Sequence, residues 1–163
     1  MPWYYRQWPP PVYQKDKFAC WAAALESWIR ATHRPVKAKT QDEWLGILDA
    51  ETDANGGLSS HGVGVMAQML GMGMKVYGAG ATPSMETMSS RLRAYGHLFL
   101  IFSWLGIGHA QVIFGVNESE RRLAFMDPDP IEGTWGTRLL EDYFSESGEY
   151  IVGWAQYAPK KKA

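Results

Sequence analysis

The sequence predicts an α+β domain, with helices in the first half and an antiparallel sheet in the second. Helix-forming periodicity with capping signals runs from Phe18 to Tyr95. Three apolar runs, broken by glycines or by a polar turn, fill the stretch from His97 to Met126. The chain is 163 residues long, the size of one domain with no room for two full cores. A single domain over 1–163 is therefore expected, with a Pro/aromatic arm at 1–13 and a basic tail at 159–163.

The arm holds Pro2, Pro9, Pro10 and Pro11 among Trp3, Tyr4, Tyr5, Trp8 and Tyr13. Consecutive prolines fix an extended backbone, and the aromatics imply that it lies against the domain. A proline-rich recognition ligand is the alternative, which so many aromatics disfavour. The first helix is expected from Phe18 to Thr32, where Ala22, Ala23 and Ala24 favour helix and Trp21, Leu25, Trp28 and Ile29 form an apolar stripe. Thr40 and Glu43 form a capping box that opens a second helix to about Ala50. After the Asn55-Gly56-Gly57 loop, Ser59 or Ser60 can cap a third, stopped at Gly71 or Gly73. Thr82 followed by Pro83 reads as the cap of a fourth helix ending at Gly96. Strands are expected at His97–Trp104, His109–Val116 and Leu123–Met126, the last two joined as a hairpin by the polar turn 117–122. A short helix near Leu139–Phe144 and a strand at Tyr150–Tyr157 complete the chain.

Composition excludes several function classes. With 46% hydrophobic and 20% charged residues the chain can bury enough apolar surface to fold, so it is neither disordered nor fibrous. Sixteen Lys+Arg against 17 Asp+Glu leave a net charge of −1, without the basic excess of a nucleic-acid binder. One cysteine excludes an internal disulfide and a thiolate zinc cluster. The longest apolar stretch, Leu98 to Ile107, is interrupted by Ser103 and Gly106 and falls short of the roughly 20 residues a bilayer requires. No membrane partner is expected, and the N-terminus carries no secretory-type apolar core.

Cys20 stands at the start of the first helix, where free N–H groups and the positive dipole end stabilise a thiolate and can face an oxyanion. Burial as a small apolar residue is the plain alternative. A thiolate nucleophile needs a base held by a third group. His33 lies roughly 20 Å along the helix at about 1.5 Å per residue, out of reach. His61 and His97 read as ordinary polar residues at element starts. His109 follows Gly106-Ile107-Gly108 and leads a strand, so its ring projects from a rigid edge. Pairing Val116 with Leu123 puts Asp127 opposite Val112, and a one-residue bulge puts it opposite Gln111. Asp127 and Asp129 both come near His109 by this register, and both can equally be turn formers in Asp-Pro pairs. Asn117 is roughly 25 Å up the strand at about 3.3 Å per residue and is excluded.

Gln14-x5-Cys20-Trp21, Gly108-His109-Ala110 leading a strand, and Asp127-Pro128 closing a hairpin together resemble the papain-like cysteine peptidases. The small size and the Asp in place of the usual Asn resemble two bacterial subgroups. These are the double-glycine leader peptidases of peptide exporters (C39-like) and the avirulence-type effector proteases (C70-like). The resemblance runs from about Gln14 to Asp127. It implies a papain-like fold with the nucleophile helix packed on the C-terminal sheet. It also implies Cys20 as nucleophile, His109 as general base and acid, and Asp127 as the group that orients the imidazole, with Asp129 as the alternative. Gln14 and the Cys20 backbone N–H would form the oxyanion hole, and no cofactor or metal is implied.

The expected reaction is hydrolysis of a peptide bond in a target protein through a thioester, with a hint of small residues such as Gly-Gly before the cut. A glutamine deamidase or transglutaminase on the same scaffold is the enzymatic alternative, and a non-catalytic C39-like binding module the other. A complete site with no visible pro-segment, exporter portion or signal peptide further suggests a bacterial toxin-type effector. Such a protein would be made in the bacterial cytoplasm and be secreted without a cleaved signal peptide. It would act in the cytoplasm of the target cell and be matched by a cognate inhibitor (immunity) protein. A housekeeping maturation peptidase is the bland alternative.

Overall fold

Helix α1 (Cys20–Thr32) opens on the cysteine itself, two residues later than the apolar pattern suggested. A computed structural model describes residues 3–32, 39–53, 57–78, 81–104, 107–129, 134–144 and 150–156. His33, Asn55, Gly56, Gly106, Tyr157 and the 159–163 tail lie outside the described residues. The turn ahead of α1 is closed by Asp16, whose carboxylate accepts from the Phe18 N–H at 2.9 Å and whose carbonyl accepts from the Ala19 N–H at 3.2 Å. Tying the chain at Asp16 is what starts the helix at Cys20.

Helix α2 (Gln41–Ile47) carries the expected capping box, with Thr40 and Glu43 satisfying one another's backbone N–H groups, and a 3-10 turn (Asp49–Glu51) continues it. Helix α3 (Ser60–Leu70) is capped by Ser59, which accepts from the Gly62 N–H at 2.9 Å, and ends at Gly71 with φ 61°. That left-handed conformation favours glycine, so Gly71 rather than Gly73 is the stop. Helix α4 (Met85–Tyr95) is capped by Ser84, not Thr82: the Ser84 hydroxyl accepts from the Thr87 N–H at 3.0 Å. Pro83 therefore precedes the cap rather than following it. A short α5 (Leu140–Phe144) closes the helical set among the described residues.

The strands form one antiparallel sheet in which β2 (Met72–Tyr77), β7 (Tyr150–Ala155), β3 (Leu98–Trp104), β4 (Ile107–Asn117), β5 (Arg122–Met126) and β6 (Trp135–Leu139) lie side by side in that order. The N-terminal arm supplies β1 (Trp3–Tyr5), which pairs with Gly115–Asn117 of β4 beyond the end of β3. The arm then stays docked, since Pro9 and Pro10 accept from Trp135 Nε1 and the Ser27 hydroxyl. It lies against the domain as the aromatics implied. β2 and β6 were not foreseen. β2 starts directly after the α3 stop and pairs with β7, nearly eighty residues on, and the residues of β2 and β6 do not alternate between apolar and polar. In β2 a side chain at Gly73 would collide with the Trp154 indole, so this glycine lets the two strands pair under a tryptophan.

The sheet buries both faces. Trp21, Leu25, Trp28 and Ile29 of α1, Trp44 of α2 and Met66 of α3 pack on Phe99, Val112 and Met126. Met88 and Leu92 of α4 with Leu140 and Tyr143 of α5 pack on Leu98, Leu100, Phe102 and Ile113. The helices are thus shared between two faces, which the helices-then-strands order did not reveal. Burial of the Trp28 ring is matched by its indole N–H, which donates to the His97 carbonyl at 2.9 Å. No helix among the described residues is long and apolar enough to cross a membrane.

Candidate active site

Val116 pairs with Leu123 and Gly115 with Ala124, and the register then slips so that Ile113 faces Phe125 and Val112 faces Met126. The extra residue, Phe114, is the bulge, and the next pair in line is Gln111 with Asp127. The bulged of the two possible registers is the one formed, and it brings Asp127 two residues from the level of His109. Side chains two apart on a strand share a face, so one carboxylate can reach both Gln111 and His109. His109 Nε2 lies 2.8 Å from Asp127 Oδ1.

A carboxylate accepts, so Nε2 carries the proton in this contact and Nδ1 is the ring nitrogen left for another partner. That partner is Cys20, whose sulfur accepts from the His109 ring. Burial by itself would lower the His109 pKa, but the hydrogen bonds the ring donates to Asp127 and Cys20, with the charges of those groups, outweigh it and raise the pKa to about 10. The imidazolium form is therefore favoured at neutral pH. Phe102, directly across the ladder, stands edge-on to the His109 ring at 5.6 Å between centroids. The side chain of Asp127 is 3% exposed and that of His109 17%, so the carboxylate is buried behind the ring and the ring faces the opening.

The other site residues are placed as follows. Asp129 contributes its backbone N–H, which donates to Asp127 Oδ1 at 2.7 Å. It supports the Asp127 carboxylate through the main chain. The Gln14 N–H donates to the Pro128 carbonyl at 2.9 Å, tying the segment ahead of Cys20 to the turn that carries Asp127. The Gln14 side-chain oxygen is buried with no hydrogen-bond partner among the described residues. The amide is thus not anchored through that atom. Trp21 is buried in the α1 core, as both readings of it require. Among the described residues, no three His, Cys, Asp or Glu side chains gather in a way that could hold a metal ion.

The sequence matches the family described as papain-like cysteine protease AvrRpt2 over residues 8–139. The chain belongs to this papain-like family. It is accordingly a cysteine peptidase, and its fold agrees with solved peptidase domains. The peptidase domain of Streptococcus ComA, a bi-functional ABC transporter involved in a quorum-sensing pathway, is similar with a TM-score of 0.62 and 23% identity, over 90% of this chain and 98% of that one. A double-glycine-motif protease from an AMS/PCAT transporter, solved with its leader peptide, has a TM-score of 0.58 and 17% identity, over 92% and 94% of the two chains. No curated protein matches the sequence significantly.

In this papain-like protease two further residues stand behind the pair and were given no role from the sequence: Gln111 touches Asp127, and Tyr143 touches Gln111. Gln111 Nε2 donates to Asp127 Oδ2 at 2.7 Å, and the Tyr143 hydroxyl donates to Gln111 Oε1 at 2.7 Å. The period of two along β4 could have singled out Gln111, since it shares a face with His109. Nothing in the chain points to Tyr143, 32 positions away in α5.

Proposed function

We propose that the chain is an endopeptidase in which Cys20 attacks the scissile carbonyl. His109 holds the proton from the thiol and gives it to the leaving amine as the thioester forms. His109 then takes a proton from the water that hydrolyses the thioester. Asp127 keeps the imidazole in the tautomer and orientation this requires. The Gln14 amide and the Cys20 backbone N–H donate to the oxyanion, a contribution of about 2.7–4 kcal/mol for one such donor. The observation that carries the reading is the hydrogen-bonded series Cys20–His109–Asp127, assembled from a helix start and a bulged hairpin.

The substrate is a protein or peptide cut after small residues. The support is the likeness to a double-glycine-motif protease that was solved with its leader peptide. The setting is an effector acting in the cytoplasm of a recipient cell. In the producing cell a dedicated inhibitor covers Cys20 and His109. The family match to AvrRpt2 and the resemblance to avirulence-type proteases support that setting.

Capture of binding proteins by the Cys20→Ala chain, followed by mass spectrometry and incubation with wild type, tests the reaction. A captured protein should be cut by wild type and left whole by Cys20→Ala. Expression in the cytosol of a naive bacterium tests the setting. Wild type that is no more harmful than Cys20→Ala rules out the effector reading.

A further inference from the structure

The Asp127 carboxylate has two oxygens, and the proposed mechanism accounts for only one. Oδ1 accepts from His109 Nε2 and from the Asp129 N–H. Oδ2 accepts from Gln111 Nε2, and both Gln111 and Tyr143 behind it are buried. A primary amide has nearly the same shape after a half-turn, so its orientation is set by what its two ends meet. Facing a carboxylate, Gln111 must present its NH2 group, because the oxygen would repel. Its Oε1 then falls on the Tyr143 hydroxyl, which has to donate. Burial pushes the Tyr143 pKa well above 10, so that hydroxyl keeps its proton. The Arg138 guanidinium, 4.8 Å from the centre of the Tyr143 ring and 5.9 Å from that of Phe102, opposes the upward shift without cancelling it. Tyr143 is itself fixed edge-on to Phe102 at 5.4 Å, and Phe102 is the residue edge-on to His109. Hydrogen bonds on one side and ring packing on the other therefore end on the same imidazole.

We propose that Gln111 and Tyr143 are positioning residues for the His109–Asp127 pair, the Tyr143 hydroxyl setting the Gln111 amide so that its NH2 group holds the second oxygen of Asp127. This rests on the reading of Cys20, His109 and Asp127 as the reacting groups. With the relay intact the carboxylate is held at both oxygens and cannot rotate out of the imidazole plane. Without it, Oδ2 is a buried acceptor with no donor, and the carboxylate turns away from His109 to find one.

The test follows the His109 ring by NMR in the full chain for wild type, Asp127→Ala, Gln111→Leu and Tyr143→Phe, with thermal unfolding measured in parallel. Tyr143→Phe keeps the ring and its packing, so it stays informative if Gln111→Leu folds poorly. In wild type the ring should titrate near 10, and in Asp127→Ala it should drop most of the way to 6.5. Gln111→Leu and Tyr143→Phe should move the midpoint part of the way down, in that order of size, and slow iodoacetamide alkylation of Cys20 near neutral pH several-fold. A midpoint unchanged from wild type in both variants, whatever their melting temperatures, overturns the relay alone. A wild-type midpoint no higher than that of Asp127→Ala overturns the proposed His109–Asp127 pairing itself, and the relay with it.

Discussion

The two sides of the site are built in different ways. Cys20 is placed by its own neighbours: a turn at Asp16, the first residue of α1, and a helix anchored through Trp21, Leu25 and Trp28. His109 and Asp127 are placed by distant parts of the chain. The β4–β5 register brings them together, a bulge at Phe114 shifts it, and Tyr143 of α5 holds Gln111 behind them. The difference has an energetic consequence. A helix end is stable to truncation of one small side chain, because its backbone bonds do not depend on that side chain. A buried polar network is coupled, so removing one member leaves its partners without hydrogen bonds.

The largest effects should come from the reacting atoms and should not distinguish the two sides. Cys20→Ala and His109→Ala are each expected to remove cleavage, a loss of several orders of magnitude, with the circular dichroism spectrum of wild type. Activity surviving in Cys20→Ala would sink the thiol mechanism. Behind the ring, the distinction sharpens. Asp127→Ala should lower kcat by about 100-fold or more, the scale of a misplaced general base. Asp129→Ala should do much less, because the backbone N–H that bonds Asp127 remains. Equal losses in the two variants would move the orienting role.

Trp28→Ala probes the platform that both sides share. Trp28 is fully buried and its indole N–H bonds the His97 carbonyl, so the loss should be about 3–5 kcal/mol. That corresponds to a melting temperature lower by on the order of 10 °C. If the protein instead melts as wild type does, α1 is not the anchor described. A further effect concerns pH. His109 has a folded-state pKa raised from 6.5 to about 10, so its contribution to stability is fully present below 6.5 and fades as pH rises through about 10. The stability difference between wild type and His109→Gln, from urea unfolding, should therefore shrink between those values. A difference that grows with pH would show that the ring is held neutral.

Local signals were sufficient for much of the molecule. The capping box at Thr40, the stop at Gly71 and the polar turn after Asn117 each involve residues a few positions apart, and each is present in the structure. Cys20 at a helix start was legible for the same reason. The α4 cap was misplaced because Thr82-Pro83 and Ser84 are both plausible caps, and only the bond from the Thr87 N–H selects Ser84. β2 and β6 went unseen because their side chains do not alternate; they are strands because β7 and β5 offer them backbone partners.

By itself the sequence determined the existence of the five α-helices and of strands β3, β4, β5 and β7, several of the helix caps, and the residue types able to do thiol chemistry, since propensity, capping and period act within a few residues. It narrowed the partner of His109 to two aspartates and the hairpin to two registers. Tertiary structure decided both, by absorbing Phe114 as a bulge and pairing Gln111 with Asp127. It also brought Tyr143 behind the pair and laid the N-terminal arm along β4. Those outcomes depend on which backbone groups and buried polar atoms find partners across the whole chain, and no local stretch of sequence contains that information.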